Sequence, residues 1–366
     1  MEASAEVWLG IQSMLDDFAQ VNIGDDIVIA YTPEVRDTAG LVAIACRERG
    51  FEAPVVPMFP LIDIGFTERL GKYVPSTRSG GGRLILLMFE GETMSHNQVV
   101  KRLLCNYEPD SYTVVRGINS GPEMFSVGLS TKPSELSALN TTLIERCRFA
   151  HSLRIEAAGG TDLRCTLNNI KYQYKSSRGV RQAGKFMVIP PGEVATFPET
   201  ISGRLVADFA LNVNMHFAGD VRLHDSPVIV DIEDGNIVHF SCENREMTEF
   251  LETSFARRNA RRVGELGFGT NPAVRAAVSF NSHLNERVQG IHLGFGQHNQ
   301  QDEVAGYDCD IHIDLCAKGG LVWFDDNPMP LDLEKLTKST LPHPPLISGE
   351  DVVSDDAEDD CCGLIQ

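Results

Sequence analysis

No stretch of the 366-residue chain approaches the roughly 20 consecutive apolar residues of a membrane span, which argues against a transmembrane helix. The opening residues Met-Glu-Ala-Ser-Ala-Glu lack the basic and apolar regions of a secretory signal, so a cytoplasmic location is expected. Cys-x-x-Cys pairs are absent, which removes the usual thiolate zinc sites. The nine cysteines are odd in number and scattered singly apart from Cys361-Cys362, a pattern of reduced thiols rather than of a disulfide framework. That pair is not a prenylation box either, because the fourth residue from the end is Gly363. Basic residues are few, 32 against 51 acids, and the formal charge of -19 argues against nucleic acid or an anionic membrane as partner. Residues 350–366 carry seven acids and no base, yet the remainder is still acidic. Internal repeats are missing. So is a phosphate loop: Gly80-Gly81-Gly82 precedes a strand pattern, and no helix opens on it.

What is present is a change of pattern near residue 150. Trp8, Ile11, Leu15 and Phe18 recur at helical spacing and predict an amphipathic helix over 5–20. Apolar strand patterns at 26–31, 54–58, 83–89 and 111–116 alternate with helix patterns at 33–49, 95–106 and 134–149. Such alternation predicts an α/β domain over 1–148, a parallel sheet covered by helices. Beyond it the strands are shorter and more polar, at 152–157, 163–167, 186–189, 203–210 and 228–232. Glu233-Asp234-Gly235-Asn236 reads as a hairpin turn, and a long helix is expected over 246–262, its Arg257, Arg258, Arg261 and Arg262 complementing the helix C-terminus. An α+β domain over 149–330 follows. Residues 331–366, Pro-rich and then acidic, are expected to form a tail without packed structure.

Four islands between Phe186 and Asp314 carry the chemistry: Ile189-Pro190-Pro191-Gly192-Glu193-Val194, Gly264-Glu265-Leu266-Gly267-Phe268-Gly269, Ile291-His292-Leu293-Gly294-Phe295-Gly296 and Ile311-His312-Ile313-Asp314. Each places a metal-capable side chain beside glycine or between aliphatic residues, and Glu193, Glu265 and the Ile311–Asp314 island read as strand ends or the turns after them. An unpaired charge in apolar surroundings is costly, so the islands imply a shared partner, and a metal is the common explanation. Glu193, Glu265 and Asp314 supply three negative charges, and His292 and His312 two neutral nitrogens. Two divalent cations and one bridging hydroxide bring that set to neutrality. Such ligands suit zinc, manganese, cobalt or iron. In His312-Ile313-Asp314 strand alternation aims both side chains at one face.

At these islands the chain resembles the dinuclear metallo-aminopeptidases of the aminopeptidase T and aminopeptidase S type. The match runs from Gly160-Thr161-Asp162-Leu163 through Pro190–Val194, Arg262–Gly267 and His292–Gly296 to His312-Ile313-Asp314, and covers about residues 15–326. The resemblance implies that Glu193 and His292 ligate one ion, that His312 and Asp314 ligate the other, and that Glu265 bridges or faces both. It implies a hydrolase that cleaves an amide next to a free amino terminus through a metal-bridging hydroxide, with zinc, cobalt or manganese. The partner would be a small peptide or aminoacyl amide, in a homodimer.

One position departs from the family, which places an oxyanion-stabilising tyrosine seven residues after the island histidine. Here that residue is Asn299, and the catalytic set expected is Glu265 with His298 or Tyr307 as replacement donors. Narrow specificity is the consequence. A second relative is the mononuclear Fe(II) ring-cleaving dioxygenase of the dihydroxypyridine type. It keeps two histidines and an aspartate as a facial triad and has no need of Glu193 and Glu265.

Overall fold

A computed structural model describes residues 4–59, 63–75, 81–91 and 96–345 and arranges them around three sheets. In the first part of the chain lie β1 (Asp26–Tyr31), β2 (Val55–Pro57), β3 (Leu84–Phe89) and β4 (Tyr112–Gly117). The second part adds β5 (Ser152–Glu156), β6 (Asp162–Thr166), β7 (Lys175–Ser177), β8 (Phe186–Ile189), β9 (Glu193–Thr196), β10 (Thr200–Ala207) and β11 (Ala210–Val213). After these come β12 (Val228–Glu233), β13 (Asn236–Ser241), β14 (Val263–Gly269), β15 (Gly290–Gly296), β16 (His312–Lys318), β17 (Leu321–Phe324) and β18 (Leu331–Asp332).

The first sheet is parallel, in the order β2-β1-β3-β4-β8. Its strands are apolar on both faces because helices cover both. On one side α1 (Ala5–Ser13) and α2 (Arg36–Glu48) pack with Ile27, Ile29, Leu87 and Val115. On the other, α3 (Phe66–Gly71) and α4 (Asn97–Leu104) pack with Val28, Ala30, Leu86 and Met88. This is the arrangement that the alternating pattern predicts. The fifth strand, however, comes from Phe186–Ile189, so the boundary expected at 148 does not separate the sheets. Phe-Met-Val-Ile is buried at every position, like its parallel neighbours.

The other two sheets are antiparallel, ordered β13-β12-β10-β6-β5-β17-β18 and β11-β16-β15-β14-β9-β7. They share one core, in which Leu153, Leu163, Leu205 and Val230 meet Leu266, Phe268, Leu293, Phe295 and Leu315. The strand expected over 203–210 is two strands, β10 and β11, in different sheets, because the chain turns at Asp208-Phe209. The hairpin at Asp234-Gly235 is present, both residues having positive φ.

The long helix expected to Arg262 is shorter. Helix α6 (Arg245–Phe255) ends at Phe255, Asn259 takes a left-handed φ of 61°, and Val263 already belongs to β14. The arginines beyond the helix pair with a neighbouring loop, Arg257 with Asp310 at 2.8 Å, while Arg262 lies 3.9 Å from the ring centre of Tyr307. Part of the tail is also packed, which corrects the expectation for 331–345. There β18 pairs with β17, Leu333 is fully buried, and helix α5 (Pro133–Cys147) accepts the Ser339 N–H at Ala138 O. Leucines among the prolines supply the apolar anchors. The acidic run and Cys361-Cys362 lie outside the described residues. No described helix is long and apolar enough to cross a membrane.

Candidate metal centre

Alternation along β14, β15 and β16 sorts the side chains by face. Leu266, Phe268, Ile291, Leu293, Phe295, Ile313 and Leu315 enter the shared core. The opposite face carries the islands' other residues, aligned by register into rows. Glu265 stands opposite Gly294, and Gly294 opposite Asp314. His292 stands opposite Gly267, Gly269 opposite Glu193, and His312 opposite Gly296. Five polar side chains thus share a face otherwise made largely of glycine.

The glycines make the room. A Cβ on Gly267 would overlap the His292 ring, and one on Gly294 would lie 2.7 Å from His312 Cε1, 2.8 Å from Glu265 Cβ and 3.0 Å from Asp314 Oδ1. Glu193 follows Gly192, whose φ of 121° suits glycine and whose Cβ would press on Asn271. Asn140 of α5 fixes the start of β9 by donating to Glu193 O (2.8 Å), Ser177 O and Ser176 Oγ, and it accepts from Thr270 Oγ1.

All five predicted ligands come together. Donor atoms of Glu193, Glu265 and His292 lie within 4.8 Å of one another, and so do those of Glu265, His312 and Asp314. The two trios share Glu265. His292 Nε2 is 2.8 Å from Glu193 Oε1 and 3.5 Å from Glu265 Oε1, and His312 Nε2 is 3.0 Å from Asp314 Oδ1. His312 Nδ1 contacts Gln297 O at 2.8 Å, which as a donated hydrogen bond puts the lone pair of the ring on Nε2.

Whether the set suits a cation can be judged from its polar atoms. His292 Nε2 and Asp314 Oδ1 are buried without a partner of hydrogen-bonding geometry. Both face into the trios, as ligand atoms would. Four carboxylates, Glu193, Glu265, Glu286 and Asp314, are buried here with one buried arginine, Arg287, which pairs with Glu193 and Glu286. Excess negative charge out of water calls for a cation. The residues fit a divalent metal.

Glu286 and Arg287 were not foreseen. Arg287 pairs with Glu193, contacts Glu286 at 3.0 Å and donates from Nε to Pro190 O at 2.9 Å. Glu286 also meets His283 Nδ1 at 2.9 Å and accepts from Asn212 Nδ2 at 2.6 Å, and Asn212 lies 3.5 Å from Asp314. The readable signal was Ser282-His283-Leu284-Asn285-Glu286, where Ser282 caps the short helix α7 (His283–Glu286) and His283 and Glu286 are three apart. Asn212 offers no signal.

Burial pushes the Glu193 and Asp314 carboxyls above their ordinary range, against the pull of Arg287 and His312 respectively. It opposes ionisation of Glu265 too, but the neighbouring His292, His312 and Lys175 outweigh it and Glu265 is lowered. At Glu286, burial is likewise outweighed, here by His283 and Arg287. The imidazolium of His292 is disfavoured by burial, yet Glu193 and Glu265 hold its pKa well above the ordinary value.

His298 and Tyr307 are placed in another cluster, with Tyr172 and Phe197. Tyr307 donates its hydroxyl to Gly296 O at 2.9 Å, and His298 contacts the carbonyls of Tyr307 (2.7 Å) and Gln300 (3.1 Å). Asn299 is buried, its oxygen accepting from Gln300 at 2.7 Å.

Two solved structures share this architecture. The 2,5-dihydroxypyridine dioxygenase from Pseudomonas putida KT2440 is 13% identical with a TM-score of 0.61, over 89% of this chain and 95% of that one. Wild-type AmpT from Thermus thermophilus is 15% identical with a TM-score of 0.57, over 91% and 99%. No curated protein matches the sequence. The family of the crocagin biosynthetic protein CgnE/B matches residues 211–310, a span that contains Glu265 and His292 but neither Glu193 nor the His312–Asp314 pair. At these identities the likeness establishes the fold.

Proposed function

We propose that the chain is a metal-dependent hydrolase that cleaves an amide next to a free amino terminus of a small peptide or aminoacyl amide. The carrying observation is the convergence of the donor atoms into two trios sharing Glu265. Glu193 and His292 would hold one ion, His312 and Asp314 the other, with Glu265 facing both. Divalent zinc, cobalt or manganese there supplies Lewis acidity to a carbonyl and lowers the pKa of water. The protein's part is to hold the ligands rigidly. Gln297 O orients His312, Arg287 anchors Glu193, and Asn212 with Glu286 backs Asp314. Glu265, shared by the two trios, would take the proton of the attacking water and return it to the leaving amine. His298 and Tyr307, whose polar atoms meet backbone carbonyls, support the loop after β15.

A second reading, a mononuclear Fe(II) ring-cleaving dioxygenase, draws on Arg287. By neutralising Glu193 it lessens the need for an ion on that side. Against it, the donor atoms gather around Glu265 rather than as a trio of His292, His312 and Asp314. Metal analysis, followed by aminoacyl amides and short peptides offered with zinc, cobalt, manganese or iron, with and without oxygen, separates the two. Near two equivalents and amide cleavage are expected. Oxygen consumption on an aromatic substrate with one equivalent of iron would replace this reading by the second.

A further inference from the structure

Lys175 belongs to the ligand face, although it is 18 residues before Glu193 and in none of the islands. It opens β7, stands opposite Ala195 on β9, and Ala195 stands opposite Gly267, which faces His292. Directly opposed residues of antiparallel strands point to the same face, so Lys175 and His292 lie in one row, which Lys175 begins at the sheet edge and which runs on from His292 to Cys316. Between them stand only alanine and glycine, the smallest residues available. At strand spacings of about 4.8 Å the Lys175 Cα is about 10 Å from that of Gly267, and a lysine stem spans the larger part of that distance. Lys175 is half-buried where Glu193, His292 and Asp314 are buried, which puts it toward the open side of the centre.

The hydrolase reading leaves one role unfilled, a donor to the oxyanion. Asn299 stands where the family has tyrosine, and the Tyr307 hydroxyl is committed to Gly296 O. We infer that Lys175 is a catalytic residue that fills this role, its ammonium donating to the oxyanion formed as water adds to the substrate carbonyl. An ammonium has three donors, so it can keep an internal partner and still serve the substrate. In the reaction the water oxygen bonds to the carbonyl carbon while the C=O π pair moves onto oxygen, facing Lys175. The pair then returns, the C–N bond breaks, and the nitrogen leaves with the proton that Glu265 took from the water. Lys175 keeps its own proton throughout, and the products are a free amino acid and an amine.

This inference rests on the hydrolase reading, and calorimetry on the metal-loaded protein distinguishes the two. The probes are leucine phosphonic acid, whose anionic oxygens mimic the oxyanion, and L-leucinamide, whose carbonyl is neutral and whose affinity is read as its KM from the heat of turnover. Lys175→Met is expected to weaken the phosphonate about 100-fold, within the range for loss of one oxyanion donor. Leucinamide affinity and metal equivalents should stay within about twofold, and Lys175→Arg should recover most of the phosphonate binding, as both keep a cation donor at that place. Equal phosphonate affinity in wild type and Lys175→Met overturns the role of Lys175 and leaves the hydrolase reading standing. Absence of phosphonate and leucinamide binding in the metal-loaded wild type overturns both. A parallel loss of metal and of both probes in Lys175→Met reassigns the lysine to holding the fold.

Discussion

The imidazole of His292 occupies the volume that a side chain on Gly267 would fill, one strand away and directly opposite in register. A ligand on β15 thus depends on the absence of atoms on β14. Gly267→Ala should cost about 1–3 kcal/mol through overpacking and turn the His292 ring out of place. Denaturant unfolding beside metal analysis checks this. Unchanged metal content in a folded Gly267→Ala protein would mean that the ring does not need that space for its function.

Arg287 is the internal cation of a crowded anionic site. Arg287→Met leaves Glu193 and Glu286 short of a positive partner, and breaking such a buried pair typically costs about 3–5 kcal/mol. Added zinc should restore much of that loss by placing positive charge beside Glu193. Urea unfolding with chelator and with zinc gives both numbers, and an equal loss in the two conditions would argue against an ion at the Glu193 trio.

Asn140 holds three acceptors and one donor from three segments around Glu193. Asn140→Ala strands several of them in a buried place. Each unsatisfied group costs about 1–3 kcal/mol, so a loss of roughly 2–4 kcal/mol is expected after relaxation. Metal affinity should fall with it, measured by competition with a chromophoric chelator. A variant as stable as wild type would show that water replaces the amide.

His343 provides a pH test at a residue outside the ligand set. Its Nε2 lies 2.9 Å from Ser176 Oγ, and burial, with the charge of Arg178 adding to it, lowers the ring's pKa to about 4. A histidine lowered in the folded state contributes stability above its unfolded pKa, about 6.5. That contribution is lost as pH falls from there to about 4. The segment 337–345 should therefore loosen from α5 over that window, seen as faster limited proteolysis. An NMR titration of the ring should give a midpoint near 4. A midpoint near 6.5 would mean that the ring is solvated and the segment undocked.

The parallel half was legible because its code is local. Leu-Ile-Leu-Leu-Met-Phe in β3 and the helical spacing of Val42, Ala45 and Cys46 state burial directly. The antiparallel half was harder to read. Glycines at 264, 267, 269, 290, 294 and 296 hid strands behind a composition that usually signals turns, and the length of α6 was overread because arginines continue its pattern past Asn259.

The sequence by itself determined the five ligand candidates and the glycines beside them, since a carboxylate or imidazole among aliphatic residues implies a partner whatever the fold. Only the tertiary structure decided how they are balanced. Arg287 reaches Glu193 across 94 residues, Asn212 backs Asp314 across 102, and Lys175 joins the row of His292 through two intervening strands. Pairings of that kind depend on strand order and register, which arise from long-range packing and leave no periodic trace along the chain.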